Sequence, residues 1–181
     1  MATTAFNRTA SCLMCSGGSG AAEKNPAQVG AYLKRAAGWA GNLADLTPGQ
    51  VSLTAANNDF ALLRKSSTEY FIIENRAATG RDTILGTSGL AVWHVDELGS
   101  NENQRGSPSS HYECALIQAD GLRELERGID WGDGKDLFRQ GYKDAFSAAT
   151  VPASNWWDAT PSGLDIAEIG GAGPTMTFVV R

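Results

Sequence analysis

The chain has 181 residues, of which 42% are hydrophobic and 19% are charged, and its formal net charge is −5 at pH 7. These values are typical of one globular domain with a buried core and not of a chain that is disordered throughout. The acidic balance, with lysine and arginine scattered singly, disfavours nucleic acid and anionic membrane surfaces as partners. No apolar segment approaches the roughly 20 residues that a membrane span requires.

The N-terminal segment, residues 1–24, is small, polar and rich in glycine and serine, which predicts a flexible stretch ahead of one domain over 25–181. It lacks the apolar core of a signal peptide. Cys12 and Cys15 form a C-x-x-C pair, but no second pair or histidine pair completes a zinc ribbon. A redox motif is disfavoured because "SGGSG", and no helix, follows the pair. Cys114 is expected to be a buried thiol.

A helix is predicted from Pro26 onward, because Asn25 suits the N-cap and Gln28 completes a capping box. After Pro48 the hydrophobic period changes to two, in short runs separated by turn residues. These runs predict a mainly β fold, an antiparallel β-sandwich of about seven strands, with one further short helix at "GLRELERG". The seven runs are "QVSLTA", "FALLRK", "TEYFIIENR", "GLAVWHVD", "YECALIQA", "GLDIAEIG" and "TMTFVVR".

A long acidic loop separates the second helix from the last strands, and a loop of this length is typically functional or stabilised by an ion. Asp130, Asp133 and Asp136 recur every third residue between glycines, and Asp120 lies shortly before them. Clustered carboxylates in a glycine-rich loop are suited to calcium, which takes 6–8 oxygen ligands. The spacing is not that of an EF-hand. An ordinary acidic surface turn explains the same residues equally well.

The run "GLAVWHVDE" closes a buried strand with polar residues. Alternation places His94 and Asp96 on one face, roughly 6.6 Å apart along the strand. Together with His111 they are candidate metal ligands, although a histidine bonded to a neighbouring carboxylate is the commoner arrangement. The paired Trp156 and Trp157 suggest either a carbohydrate or peptide platform or anchors for the loop. Core or loop anchoring is favoured, because adjacent extended residues point to opposite sides.

Four blocks taken together, "EYFIIENR", "SGLAVWHVDE", "LIQADGLREL" and "GDGKDLF", resemble the immune inhibitor A family of secreted bacterial zinc metallopeptidases. They stand in the family's order, and "PSGLDIAEIG" and "MTFVV" resemble its following strands. The segment "SCLMCSGGSG" is similar to the Met-containing turn beyond the family's zinc helix, and "PAQVGAYLKRAAGW" to the helix after it. The resemblance extends from about residue 11 to the end.

The resemblance implies that the zinc site itself is missing from this chain. The family binds zinc through a His-Glu-x-x-His helix upstream of the Met turn, with the glutamate as general base. Met14 corresponds to the floor of that site, and the C-x-x-C around it departs from the family's small residues. "WHVDE" then belongs to the β-domain after the catalytic domain, where its polar residues hold strand to loop, and a cation beside them is a further option.

Two functions follow from this reading. The first is a non-catalytic β-domain of a secreted, extracellular zinc metallopeptidase, which packs on the catalytic domain and aids the binding of protein substrates. The second is a stand-alone β-sandwich module for adhesion or ligand binding, derived from the same family. A divergent enzyme that uses His94, Asp96 and His111 is a residual alternative. Calcium is the one cofactor expected of the chain itself, and zinc belongs to the absent catalytic domain.

Overall fold

The computed structural model describes residues 25–55, 57–102 and 106–181. The predictions for residues 1–24, which include Cys12, Met14 and Cys15, lie outside these ranges. The described elements are, in chain order, α1 (Ala31–Ala36), β1 (Asn42–Asp45), β2 (Gly49–Thr54), β3 (Asp59–Arg64), β4 (Glu69–Arg76), a 3-10 helix (Gly80–Leu85), β5 (Gly89–Asp96), β6 (Cys114–Ile117), α2 (Glu124–Arg127), β7 (Ile166–Ala167) and β8 (Thr175–Val180).

The strands form two sheets, so the prediction of a mainly β fold is confirmed. The larger sheet has the order β1-β3-β4-β5-β6, and the smaller has the order β2-β8-β7. All pairs are antiparallel except β1 with β3, which run parallel. An entirely antiparallel arrangement was therefore wrong for this one pair. The described part of the chain contains no helix long and apolar enough to cross a membrane.

One hydrophobic core joins the two sheets. Alternate residues of β4 and β5, among them Phe71 and Val92, contribute to it from the larger sheet, and Phe178 contributes from the smaller one. Residues of the opposite parity, such as Ile72 and Trp93, belong to a second core that includes Ala31 of α1. Every residue of β4 and β5 is buried, because both faces of the central strands are covered. The alternation predicted for β5 is confirmed.

The first helix is shorter than predicted and begins at Ala31 instead of Pro26, with Gly30 at the N-cap. The Asn25 side chain does not cap it but donates to the carbonyl of Gly80 in the 3-10 helix, at 2.8 Å. The Gln28 backbone N–H donates to a carboxylate oxygen of Asp82 at 2.9 Å. These tertiary hydrogen bonds hold Asn25 and Gln28 against the 3-10 helix, and they outweigh the local capping preference.

The long loop is ordered by apolar side chains that enter the core. Phe138 is fully buried, and its backbone exchanges two hydrogen bonds with Leu90 at 2.9 and 3.0 Å. Phe146 is also fully buried and pairs with Ile166 of β7 in the same way. Gly89 permits the first contact, since a Cβ there would lie only 2.7 Å from the Cβ of Leu137. Packing against the sheets therefore fixes much of this loop.

Candidate functional site

His94 lies on the core face of β5 beside a glutamate of β4. Its Nε2 is 3.1 Å from Oε1 of Glu69, and its side chain is 3% exposed. The same Oε1 accepts a hydrogen bond from the backbone N–H of Trp157 at 2.9 Å. The second oxygen of Glu69 pairs with Lys65 at 2.8 Å. Glu69 thus joins β4, β5 and the long loop.

His111 forms a separate pair with Asp96. Its Nε2 is 2.8 Å from Oδ2 of Asp96, and its Nδ1 is 3.1 Å from the carbonyl oxygen of Pro108. The other oxygen of Asp96 accepts the backbone N–H of Leu98 at 3.1 Å. Both ring nitrogens of His111 therefore have a partner. The motif holds two histidine–carboxylate pairs instead of one group converging on a centre.

Trp157 lies against both imidazoles. Its ring stacks on His94 with centroids 4.6 Å apart and on His111 with centroids 5.3 Å apart. Trp156 is buried and stacks on Phe71 at 5.0 Å. Both tryptophans therefore anchor the loop against the larger sheet, as favoured from the sequence. Trp131, by contrast, is 56% exposed and does not belong to this aromatic group.

Burial and hydrogen bonding set the charge states of the inner pair. Burial raises the pKa of Glu69, but the hydrogen bonds from His94, Lys65 and the Trp157 N–H outweigh it and bring the pKa to about 2. Burial lowers the pKa of His94, against the opposing effect of Glu69. At neutral pH the pair is a neutral imidazole that donates from Nε2 to a carboxylate. The carboxylate thus gives the buried imidazole a hydrogen-bond partner within the core.

Metal binding by these side chains stays a prediction. Within 25–55, 57–102 and 106–181, no three histidine, cysteine, aspartate or glutamate side chains converge in an arrangement able to hold a metal ion. His94 and Asp96 are bonded to different partners, as described above. Cys114 is a free thiol, 1% exposed in the second core, which agrees with the prediction of a buried thiol.

The acidic loop brings its carboxylates into mutual electrostatic range. Each uses one oxygen to accept a nearby backbone N–H: Asp120 from Leu122, Asp130 from Gly132, Asp133 from Lys135 and Asp136 from Asp133. Such bonds are those of ordinary acidic turns. Asp136 differs from the others because its side chain is buried, with the residue only 5% exposed.

The carboxyl of Asp136 is the strongly perturbed group of this loop. Burial raises its pKa, and the negative charges of Asp130, Asp133 and Asp120 add to the effect, so that the pKa reaches about 7. The bond from the Asp133 N–H opposes the shift without cancelling it. A carboxylate with such a pKa is destabilised by its neighbours and is relieved by a proton or a cation. Hard oxygen donors also match calcium in type, although they do not converge here.

A buried ion network lies on the opposite face of the larger sheet. Arg76 makes two hydrogen bonds of 2.8 Å to Asp82 and one of 3.3 Å to Glu74. Lys34 of α1 is 3.7 Å from Glu74. Glu74 also accepts bonds from the Trp93 indole and from the Ala31 N–H. Burial lowers the pKa of Arg76, but the two carboxylates outweigh it and raise the pKa, so the guanidinium stays charged.

Sequence reasoning did not identify this network or the role of Glu69. The signal was present in "EYFIIENR", where charged residues stand inside and at the ends of an apolar strand. Buried charges are rarely tolerated without partners, so each acid or base in such a strand predicts a counter-ion nearby. The positions of Asp82 and Lys34 depend on the tertiary fold, which explains why they could not be paired from sequence alone.

Comparison with known proteins gives no match, either among models of protein families or among curated sequences.

Proposed function

We propose that this chain is the non-catalytic β-sandwich domain of a secreted zinc metallopeptidase of the immune inhibitor A type. In this proposal the domain packs on the catalytic domain and aids the binding of protein substrates. The non-catalytic part of the proposal rests on the hydrogen bonds and ring contacts of His94 and His111. Nε2 of each histidine bonds to a carboxylate and each ring stacks on Trp157, which supports a structural role for the two side chains.

Apolar surface near the start of the described residues supports packing on another domain. Asp82 and Glu74 bind the backbone N–H groups of Gln28 and Ala31, which fixes the start of the described chain against the larger sheet. Trp39 and Leu43, which are 61% and 41% exposed, provide apolar surface beside the edge strand β1. Exposed apolar side chains next to a sheet edge suit an interface.

The alternative proposal is a stand-alone β-sandwich module for adhesion or ligand binding. A pocket of ≈ 350 Å³ lined by Trp156 and Trp157 supports it, since a ligand site suits a binding module as well as a substrate-binding domain. The two proposals differ in whether the native polypeptide also contains a zinc-binding helix. Calcium in the acidic loop is proposed under either one, on the grounds of the donor type and of the burial and charge repulsion that raise the pKa of Asp136.

The purified chain is expected not to cleave peptide bonds. Casein is incubated with the chain and either zinc or calcium, and fragments are followed by mass spectrometry. His94→Ala is the matched variant, because it removes the one histidine in the core of the sheet. Chelator-sensitive cleavage by the unaltered chain, abolished in His94→Ala, would contradict the non-catalytic proposal and would support a divergent enzyme.

A further inference from the structure

A pocket of ≈ 350 Å³ lies between β6 and the tryptophan segment of the long loop. Its volume falls within the range of roughly 300–1,000 Å³ found for ligand sites. We call it the β6 pocket. The lining residues that matter here are Leu116, Arg123, Glu126, Asn155, Trp156 and Trp157.

The pocket follows the edge of a strand and not one of its faces. Four consecutive residues, 115–118, all line it, although successive side chains of a strand point to opposite faces. Consecutive residues can line the same site only through their backbone, along the edge of the strand. Since β6 is the last strand in the order β1-β3-β4-β5-β6, this edge has no neighbouring strand in the described part of the sheet.

The register shows which backbone groups point into that edge. The N–H of Asp96 donates to the carbonyl of Glu113, so these two residues form a hydrogen-bonded pair. Hydrogen-bonded and non-bonded pairs alternate along an antiparallel ladder. Trp93 and Leu116, which face each other three steps further along, are therefore a non-bonded pair. The N–H and C=O of Leu116 point away from β5, and no other backbone segment within the described ranges pairs with them.

Two side-chain atoms beside the pocket also lack partners. Oδ1 of Asn155 and Nε1 of Trp157 are buried and have no hydrogen bond to the described residues. An unpaired buried donor or acceptor is costly, so few persist in proteins without a purpose. Here an acceptor and a donor belong to residues that line the same pocket as the open edge of β6.

The missing partners have the chemistry of peptide groups. The backbone of Leu116 presents a donor and an acceptor, Asn155 presents an acceptor, and Trp157 presents a donor. A chain of amide groups carries the matching partners for all of them. A sugar ring suits the pocket less well, because the rings of Trp156 and Trp157 already stack on Phe71, His94 and His111. Arg123 and Glu126 carry opposite charges, so the lining has no excess charge and fits an uncharged segment.

We propose that the β6 pocket binds a short, uncharged, extended peptide segment, which adds to the larger sheet along β6. The N–H and C=O of Leu116 pair with one residue of the segment, and the amide groups beside it meet Asn155 and Trp157. Strand addition to an open edge is a common mode of peptide recognition. The source of the segment rests on the proposed function, in which it belongs to a protein substrate.

The test is a titration of the ¹⁵N-labelled chain with acetyl-Ala-Val-Ala-amide, followed by NMR. The Leu116 amide and the Trp157 indole N–H are expected to shift together with one dissociation constant. The analogue with an N-methylated valine lacks the central N–H and should bind roughly five- to tenfold more weakly, as expected for one lost hydrogen bond. Equal binding of both peptides, no shift at millimolar peptide, or tighter binding of N-acetylglucosamine to the same signals overturns the proposal.

The matched variants are Trp157→Phe at the pocket and Trp39→Phe at the exposed end of α1. Trp157→Phe keeps an aromatic ring but removes the Nε1–H, so it should weaken the peptide about fivefold or more, whereas Trp39→Phe should leave it unchanged. If the spectrum of Trp157→Phe shows unfolding, Asn155→Leu is used in its place. Equal affinities for pocket variant and control contradict the proposal. Failure of the peptide proposal does not contradict the proposed function. The proposed function is tested separately, by the search for a zinc-binding helix in the native polypeptide.

Discussion

Asp82→Asn is expected to lower the free energy of unfolding by about 3–5 kcal/mol, because it removes one of the two carboxylates that pair with the buried Arg76 guanidinium. The Arg76 and Asp82 side chains are each 2% exposed and lie 2.8 Å apart. Removing one partner of such a pair costs much more than the pair itself contributes. The backbone N–H of Gln28 also bonds to Asp82, so its hydrogen exchange should become faster. Urea unfolding at pH 7 gives the free energy.

The chain contains a matched control for this prediction. Arg64 and Asp45 form an ion pair of nearly the same length, 2.9 Å, but their side chains are 38% and 68% exposed. Exposed pairs contribute about 0–1 kcal/mol, so Asp45→Asn should change stability little. Equal losses in the two variants would show that the network on this face of the larger sheet is not buried in solution.

Asp136→Asn is expected to stabilise the chain at pH 8 by about 1–3 kcal/mol and to leave it unchanged at pH 4. The pKa of Asp136 is raised to about 7 in the folded chain, above the value of about 3.9 of an unperturbed aspartate. Between these values the folded state holds a proton that the unfolded state has released, so stability falls as the pH rises from about 4 to 7. Asparagine abolishes this loss, because it remains neutral.

The measurement is urea unfolding in the presence of a chelator at the two pH values. Asp144→Asn serves as control, since Asp144 is an exposed aspartate of the same loop. In Asp144→Asn, the difference in unfolding free energy between pH 4 and pH 8 should equal that of the unaltered chain. A stability difference between Asp136→Asn and the unaltered chain that is independent of pH would contradict the raised pKa.

If calcium binds this loop, the Asp136 carboxylate should increase stability when calcium is present, whereas it decreases stability at pH 8 when calcium is absent. At pH 8 the melting temperature of the unaltered chain should rise with the logarithm of the calcium concentration once this exceeds the dissociation constant. Asp136→Asn and Asp133→Asn should reduce that rise, while Asp45→Asn should not affect it. A melting temperature that chelation leaves unchanged would identify the loop as an acidic turn, ordered by Phe138 and Phe146 alone.

The parts of the fold that sequence predicted are those with a strong period. β4 and β5 were found because their apolar runs are long and bounded by turn residues. β1 was missed because all four of its residues are exposed, which leaves no alternation to detect. The helix start was misplaced because Asn25 and Gln28 have the right local chemistry but bond to the 3-10 helix region instead. Tertiary hydrogen bonds of this kind have no signature in the local sequence.

The candidate site was also predictable only in part. The alternation of β5 correctly placed His94 and Asp96 on one face of the strand. Their partners, Glu69 and His111, come from a neighbouring strand and a distant loop, so they depend on register. The β6 pocket has even less local signal, since the unpaired backbone of Leu116 results from its position at the end of the sheet. Edge strands cannot be told from central ones by apolar pattern alone.

The most direct test of the proposed function is mass spectrometry of the native polypeptide that carries this sequence. Antibodies raised against residues 25–181 isolate the polypeptide from culture medium and from cells, and its tryptic peptides are sequenced. The proposal predicts a longer, secreted polypeptide in which a His-Glu-x-x-His segment precedes this chain. A polypeptide of 181 residues that begins at Met1 and is found without such a segment would contradict it and support the stand-alone module.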